Sequence, residues 1–252
     1  MRPPLFAFAV FFAALLSAPA CRAADLTKTE TRWLEGAWPV VEFARQTGLP
    51  LDIVVQPQPT PGAAPLAMAF VGGRCKLVLS MRGNSEARAT LERIEPVLLG
   101  ATLELMAAHE LGHCRRYLDG VWHGLPSGFA AKSTAQRDPE SVDAREPVSA
   151  TRREEGYADL VGLAWVRRQH PQIYARLWAW LVAERSKDRV PGADHDTLAW
   201  VRLATPDLAW GHASIFDWAA MRWTAGLGEA VRAASVPGQE QIDGPVEDDL
   251  RW

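Results

Sequence analysis

The sequence predicts an α+β protein in which a small antiparallel sheet is followed by a mainly helical part. Short apolar runs, punctuated by Gly and Pro, cluster between residues 51 and 81. In almost every segment after Ser85, apolar residues recur instead at helical spacing. The composition agrees, because a chain of 252 residues that is 48% hydrophobic and 23% charged has the balance of a folded globular protein.

Residues 1–23 are predicted to form a signal peptide that is not part of the fold. Arg2 supplies the positive charge, and an apolar stretch follows from Leu5 to Leu16. The small residues that come next are compatible with cleavage after Ala20 or after Ala23. We therefore expect an exported protein that is periplasmic or secreted.

The mature chain is expected to carry neither a lipid anchor nor a transmembrane segment. Ala18 and Pro19 match poorly the residues that usually precede a lipidated cysteine, which disfavours lipid attachment at Cys21. No later apolar stretch is long enough to span a bilayer. The formal net charge of −3, with no basic run longer than a pair, gives no electrostatic footprint for nucleic acid.

The first elements of the mature chain follow from spacing and from helix-breaking residues. Apolar positions at helical spacing predict a helix over residues 27–47, which Gly48 and Pro50 end. The runs LDIVVQ (51–56), LAMAFV and CKLVLSM (75–81) then predict the three strands of the antiparallel sheet.

The helical part contains one long helix of special interest. Pro96 stands where a helix can begin, and the pattern predicts that this helix runs through Arg116 to about Leu118 before it stops at Gly120. Further helices are predicted over residues 151–169, 172–187, 195–203 and 214–234.

Two segments lack any periodicity. Residues 121–150 are polar and contain Pro, Gly and Ser, which indicates either a flap over a functional cleft or a plain disordered insertion. Residues 237–252 are predicted to be an acidic flexible tail. No linker divides the chain, so residues 24–236 are expected to form one domain.

The segment HELGH carries the chemistry of the long helix. His109 and His113 are four residues apart, so their imidazoles project from one helical face and can bind one metal ion. Glu110 lies about 100° further round the helix. From there it can reach a water molecule on that metal without being a ligand itself.

A second segment, EEGYAD, supplies a candidate third ligand. Glu155 and Asp159 are again four residues apart on one face of a predicted helix. One carboxylate can bind zinc while the other accepts the free ring N–H of a ligand histidine. We assign Glu155 as the ligand and Asp159 as its supporting acid, with Glu154 as the alternative ligand.

HELGH followed by E-x-x-A-D resembles the gluzincin zinc metallopeptidases, and specifically the group of CAAX prenyl proteases and bacterial heat-shock membrane proteases. The resemblance covers residues 99–117 and 152–166 and implies a zincin-like fold. It implies one zinc ion held by His109, His113 and Glu155, with Glu110 as general base on the activated water. Members of that group are usually embedded in the membrane, so their prenylated substrates are not carried over.

The same family usually adds a His or Tyr that stabilises the oxyanion. His195, followed by Arg202, matches that segment loosely, and the resemblance therefore implies that His195 is catalytic. His212 and Tyr157 are alternative candidates. From the residues alone, His195 between two aspartates is equally well explained as a surface ion pair.

Cys75 and Cys114 are the two cysteines certain to remain after processing. Export to an oxidising compartment favours a disulfide between them, the alternative being two buried thiols. In zincins, the strand that precedes the active-site helix forms the edge of the cleft. The strand Cys75–Met81 is therefore expected to pair with an extended substrate.

Together these features predict an exported zinc-dependent metallopeptidase that hydrolyses peptide or protein substrates. One alternative is a zincin scaffold that binds partners without turnover. Glu110 argues against that alternative, because only catalysis needs a base beside the metal. The other alternative is a metal-dependent hydrolase of a non-peptide amide in the cell envelope.

Overall fold

The computed structural model describes residues 25–121, 142–187, 193–211 and 214–234. The predicted signal peptide (1–23), the predicted acidic tail (237–252) and His212 lie outside these residues. The elements in chain order are α1 (Lys28–Gln46), β1 (Leu51–Pro57), β2 (Leu66–Val71), β3 (Arg74–Arg82), α2 (Ser85–Arg93), α3 (Leu99–Leu118), α4 (Val142–Gln169), a 3₁₀ turn (Pro171–Ile173), α5 (Tyr174–Ser186), α6 (Leu198–Arg202) and α7 (Ile215–Ala234). The predicted α+β class is confirmed.

Helix α1 begins at a capping box. The side chains of Thr27 and Glu30 each accept a hydrogen bond from the other's backbone N–H, at 3.2 and 2.6 Å. Glu30 is buried and also accepts from Arg82 at the end of β3. Gly48, with φ of 73°, follows the helix. The start of α1 is thereby fixed to the sheet.

The sheet is mixed, which corrects the prediction of an antiparallel sheet. Its strand order is β1-β3-β2. The pair β2–β3 is an antiparallel hairpin closed by Gly72 and Gly73, both at positive φ, whereas β1 runs parallel to β3. The physical reason is that the loop between β1 and β2 carries the chain past β3 to its far side. A strand's own residues do not encode that choice of neighbour.

The sheet order also corrects the expected substrate-binding edge. The strand Cys75–Met81 belongs to β3, which has a partner on each side and therefore has no free backbone edge. The strand beside α3 is β2, an outer strand of the sheet. Phe70 of β2 stacks on Tyr117 of α3, with ring centroids 5.2 Å apart.

Helix α3 is the centre of the molecule. Every residue from Ala101 to Cys114 is buried, and α4 packs along it more extensively than any other element. Gly112 and Gly162 allow α3 and α4 to approach closely. A Cβ on Gly112 would lie 3.0 Å from Ala158 Cα, and a Cβ on Gly162 would lie 2.9 Å from a backbone oxygen of α3. We call this contact the α3–α4 seam.

The starts of three helices differ from prediction. The helix predicted over residues 195–203 is the short α6, which begins at Leu198. Helix α3 begins at Leu99 rather than at Pro96, because a turn lies between them. Helix α4 begins at Val142, so the predicted loop over residues 121–150 is wrong in its last nine residues; residues 122–141 lie outside the described chain. Pro147 lies within the first turns of α4, and a proline in a sequence usually marks a helix boundary, so the pattern did not predict the helix start.

The C-terminal helices cover the other side of α4. The ring of Trp200 in α6 packs directly against two glycines. A Cβ on Gly156 would lie 2.7 Å from this ring, and a Cβ on Gly226 would lie 2.4 Å from it. Trp178 Nε1 donates to the Val201 carbonyl and ties α5 to α6. None of the described helices is both long enough and apolar enough to cross a membrane.

Candidate metal centre

Three ligand-type atoms from α3 and α4 converge in the α3–α4 seam. The Nε2 atoms of His109 and His113 are 3.2 Å apart. Oxygens of Glu155 lie 3.2 Å from His109 Nε2 and 3.5 Å from His113 Nε2. All three side chains are fully buried. We call His109, His113 and Glu155 the metal cluster.

The spacing of the metal cluster fits a small tetrahedral cation. Bonds of about 2.0–2.1 Å in tetrahedral geometry place ligand atoms about 3.3 Å apart, which matches the three separations. Both buried oxygens of Glu155 accept no hydrogen bond from any described residue. A cation at the common centre would be bound by these oxygens and would further compensate the buried charge of Glu155. The cluster could therefore hold a metal ion.

Asp159 holds the first imidazole in place. Its carboxylate accepts a hydrogen bond from His109 Nδ1 at 2.9 Å, which leaves Nε2 facing the metal position. The same carboxylate accepts two hydrogen bonds from Arg185, at 2.6 and 2.8 Å, and one from the Thr197 hydroxyl at 2.5 Å. Asp159 is thus paired with a buried cation and saturated with donors, so it is a fixed support.

The two imidazoles have opposite pKa shifts. Burial lowers the pKa of His109, but its hydrogen bond to Asp159 and the negative charge of the nearby Glu155 outweigh this and raise the pKa to about 9. At His113 burial dominates and lowers the pKa to about 3. Burial raises the pKa of Glu155, yet the neighbouring histidines, with His195 first, bring it down to about 2. The Glu155 carboxylate is therefore ionised and attracts positive charge, which is the electrostatic property expected of a cation site.

The two predicted catalytic residues lie at the metal cluster. Glu110 is fully buried on the same turn of α3 as His109. His195, in the turn before α6, places Nε2 3.5 Å from a Glu155 oxygen. The side chain of His195 is 16% exposed, whereas Glu110 and the three metal-cluster residues are not exposed. His195 therefore marks where the site approaches the surface.

The other candidates for these roles are elsewhere. Glu154, the alternative ligand, forms two hydrogen bonds with Arg116, at 2.6 and 2.8 Å, and is not part of the metal cluster. Tyr157 lies two residues after Glu155 and packs against Trp223, with ring centroids 6.0 Å apart. Two residues along a helix is about 200°, so Tyr157 is on the opposite side of α4 from the ligand.

Arg185 and Thr197 are site residues that sequence reasoning missed. Arg185 lies on α5 in the same stripe as the buried residues Leu177 and Leu181, at a spacing of four. An arginine on an apolar stripe implies a buried carboxylate partner, and this signal was available in the sequence. Thr197 gave no such signal, because only the turn that contains His195 brings it to Asp159.

The predicted disulfide between Cys75 and Cys114 is confirmed. It joins the start of β3 to α3, with the two Cα atoms 5.6 Å apart. Cys114 directly follows His113 in the sequence. The bridge therefore fixes the helix to the sheet immediately beside the metal cluster.

A second polar cluster lies nearer the other end of the α3–α4 seam. Glu104 of α3 accepts a hydrogen bond from Trp165 Nε1 at 2.8 Å, and His170 Nε2 lies 2.9 Å from the same oxygen. We call these three residues the Glu104 cluster. Unlike the metal cluster, it is satisfied by its own hydrogen bonds.

Comparisons with protein-family models, with curated proteins and with solved structures returned no match for this chain. The residues of the site are therefore the basis for inferring its chemistry.

Proposed function

We propose that the metal cluster binds one zinc ion and that the protein is a zinc-dependent peptidase. The main support is the buried triangle of two histidines and one glutamate, whose ligand atoms are 3.2 to 3.5 Å apart. A second glutamate, Glu110, lies beside this triangle without being one of the three ligands. Two imidazoles and one carboxylate form the donor set of catalytic zinc in hydrolases, which leaves a coordination position open. A purely structural zinc site takes four protein ligands.

In this proposal the bound zinc supplies Lewis-acid activation of a water molecule and of the scissile carbonyl. Glu110 takes a proton from the attacking water and then donates it to the leaving amine. Its complete burial on the same turn of α3 as His109 supports this role. Asp159, clamped by Arg185, keeps the His109 ring fixed throughout.

His195 is the proposed donor to the oxyanion. Its position supports the role, because it adjoins Glu155 and is the exposed member of the site. A substrate that approaches from solvent therefore meets His195 first. An imidazole N–H aimed at the developing negative charge stabilises the transition state more than the ground state.

The substrate in this proposal is an extended peptide. It pairs with the outer edge of β2, since this strand lies beside α3 and its hydrogen bonds within the sheet are made to β3. This replaces the edge first expected at β3. Mutual backbone hydrogen bonds give affinity without demanding a particular sequence, which suits a peptidase.

The decisive experiment compares the purified protein with its Glu110→Gln variant. We expect both to contain about one zinc per chain by elemental analysis, and only the wild type to cleave a fluorescent casein. Equal cleavage by both proteins would exclude Glu110 as the base. Zinc in both without cleavage of casein, together with release of amines from muropeptides by the wild type alone, would favour the envelope-amide hydrolase. Zinc without turnover of either substrate would favour the binding scaffold.

We further propose that the protein is exported after removal of residues 1–23. The Cys75–Cys114 disulfide supports export, because such bridges persist in oxidising compartments. Mass spectrometry of the protein isolated from its native host should find a mature N-terminus near residue 21 or 24. An intact Met1 in the native protein would contradict the proposal.

A further inference from the structure

A second cavity lies on the side of α4 that faces away from the metal cluster. Its volume is about 620 Å³, within the range of pockets that hold small ligands. The ends of α1 and α3, the middle of α4 and the first turns of α7 form its walls. We call it the α7 pocket. Tyr157 lines this pocket, whereas Glu155 belongs to the metal cluster.

Three arginines in the wall of the α7 pocket lie over aromatic rings. The guanidinium carbon is 5.7 Å from the ring centroid for Arg115 over Phe216 and 4.6 Å for Arg116 over Trp223. For Arg168 over Phe43 it is 5.8 Å. Packing against a ring restricts a guanidinium and leaves its N–H edge available to a planar anion.

Two of these arginines already have carboxylate partners. Arg115 donates to Asp119 at 3.1 Å, and Arg116 forms two hydrogen bonds with Glu154. Among the described residues, no carboxylate pairs with Arg168, which is exposed on α4. Arg168 is therefore the group in this wall that can take an incoming anion.

The rest of the wall is mixed: Thr47, Ser214, Asp217 and Thr224 are polar, and the other side chains are suited to an apolar group. Phe43 and Leu49 line it from the α1 side, and Phe216, Ala220 and Trp223 line it from α7. An apolar body placed between these walls is removed from water, which contributes about 25 cal/mol for each Å² buried. A ligand that combines such a body with one carboxylate matches both features.

We propose that the α7 pocket binds an apolar carboxylate, whose anionic group pairs with Arg168 and whose body packs between Phe43, Phe216 and Trp223. Two sources share this chemistry: a free aliphatic or aromatic acid, and the C-terminal carboxylate of a peptide that ends in an apolar residue. The site is independent of zinc, since no lining residue belongs to the metal cluster.

The test is calorimetric titration of the full chain at low salt with matched pairs of probes. The first pair is 4-phenylbutyrate and its amide, and the second is N-acetyl-alanyl-phenylalanine with a free or an amidated C-terminus. We expect each acid to bind about tenfold or more tightly than its amide, because the charge-assisted pair is lost. Preference for one acid identifies the source. Equal binding of acids and amides, or no binding of either acid, overturns the proposal.

Variants locate the binding. Arg168→Met keeps the stem of the side chain and should weaken acid binding about tenfold, while Arg176→Met, on the exposed face of α5, is the matched control. Ala220→Trp should block the pocket and abolish binding without removing any arginine. Because Ala220 and Arg168 are exposed, neither change threatens folding. Undiminished binding to Arg168→Met, or to Ala220→Trp, also overturns the proposal.

Discussion

The metal cluster and the Glu104 cluster lie in the same α3–α4 seam, yet they compensate buried polar groups in opposite ways. In the Glu104 cluster, one carboxylate oxygen receives both the Trp165 indole and the His170 imidazole. In the metal cluster, the ligand atoms of three residues face a common centre, and neither Glu155 oxygen accepts a hydrogen bond from a described residue. The first arrangement is complete, whereas the second leaves both Glu155 oxygens available to a metal ion.

This difference teaches how to distinguish a structural polar cluster from a binding site. Burial is complete in the metal cluster and partial in the Glu104 cluster, where the side chain of His170 is 24% exposed, but the pairing of histidine with glutamate is common to both. What differs is whether the hydrogen-bonding capacity is used within the protein. A buried carboxylate with unused oxygens costs free energy that a bound cation can offset.

Removal of a ligand should produce the largest contrast between the clusters. Glu155→Ala deletes one of the three ligands of the proposed zinc site. We therefore expect zinc affinity to fall by more than about a hundredfold, which exceeds the effect of altering a residue that only supports a ligand. Glu104→Ala should leave affinity unchanged. Competition with a chelator measures both. If Glu155→Ala retains zinc as tightly as the wild type, the metal cluster is not the zinc site.

Removal of the disulfide should lower the stability of the protein and should affect the metal cluster but not the Glu104 cluster. The bridge closes a separation of 39 residues, for which loop entropy predicts a stabilisation of about 4 kcal/mol. We expect the Cys75→Ser, Cys114→Ser double variant to unfold at lower urea concentration. It should also bind zinc more weakly, because Cys114 adjoins His113. Unchanged zinc affinity in a destabilised variant would mean that the bridge does not position the ligands.

A change behind the metal cluster should have an intermediate effect. Asp159→Asn keeps the shape of the side chain but removes the charge that pairs with Arg185 and orients His109. Loss of such a partner typically lowers metal affinity about 10–100-fold. The cobalt-substituted protein should then show an altered visible spectrum. The control Asp217→Asn, on the exposed face of α7, should leave affinity and spectrum as they are.

The smallest change should come from the Glu104 cluster and should appear in stability alone. Glu104→Ala leaves the Trp165 indole N–H without its acceptor, which costs about 1–3 kcal/mol. Chemical unfolding of the zinc-loaded protein measures the loss. Glu104→Gln, which retains an acceptor oxygen, should lose less. Stability equal to the wild type in Glu104→Ala would show that water replaces the carboxylate at little cost.

The sequence was informative where chemistry follows from spacing within one helix. The four-residue spacings of His109 with His113 and of Glu155 with Asp159 place these pairs on single faces, and the structure brings the two pairs together. Arg185 was not predicted because it comes from a different helix, although the sequence spacing does place it on an apolar stripe.

Long-range pairing was predicted less well. The parallel alignment of β1 with β3 depends on the path of a loop and not on the composition of either strand. The start of α4 at Val142 was not predicted for another reason, since Pro147 in its first turns is a residue that usually marks a helix boundary. Local patterns fix which face a residue occupies, but they do not fix which element lies opposite.

The complete burial of the metal ligands has a kinetic consequence. With His109, His113 and Glu155 at 0% exposure, a metal ion and the proposed substrate alike can reach the metal cluster only when the structure around His195 opens. Metal exchange should therefore proceed at the rate of that opening, so a higher concentration of chelator should not make metal removal faster. In the proposed zinc enzyme, the same opening would therefore limit both metal exchange and substrate entry.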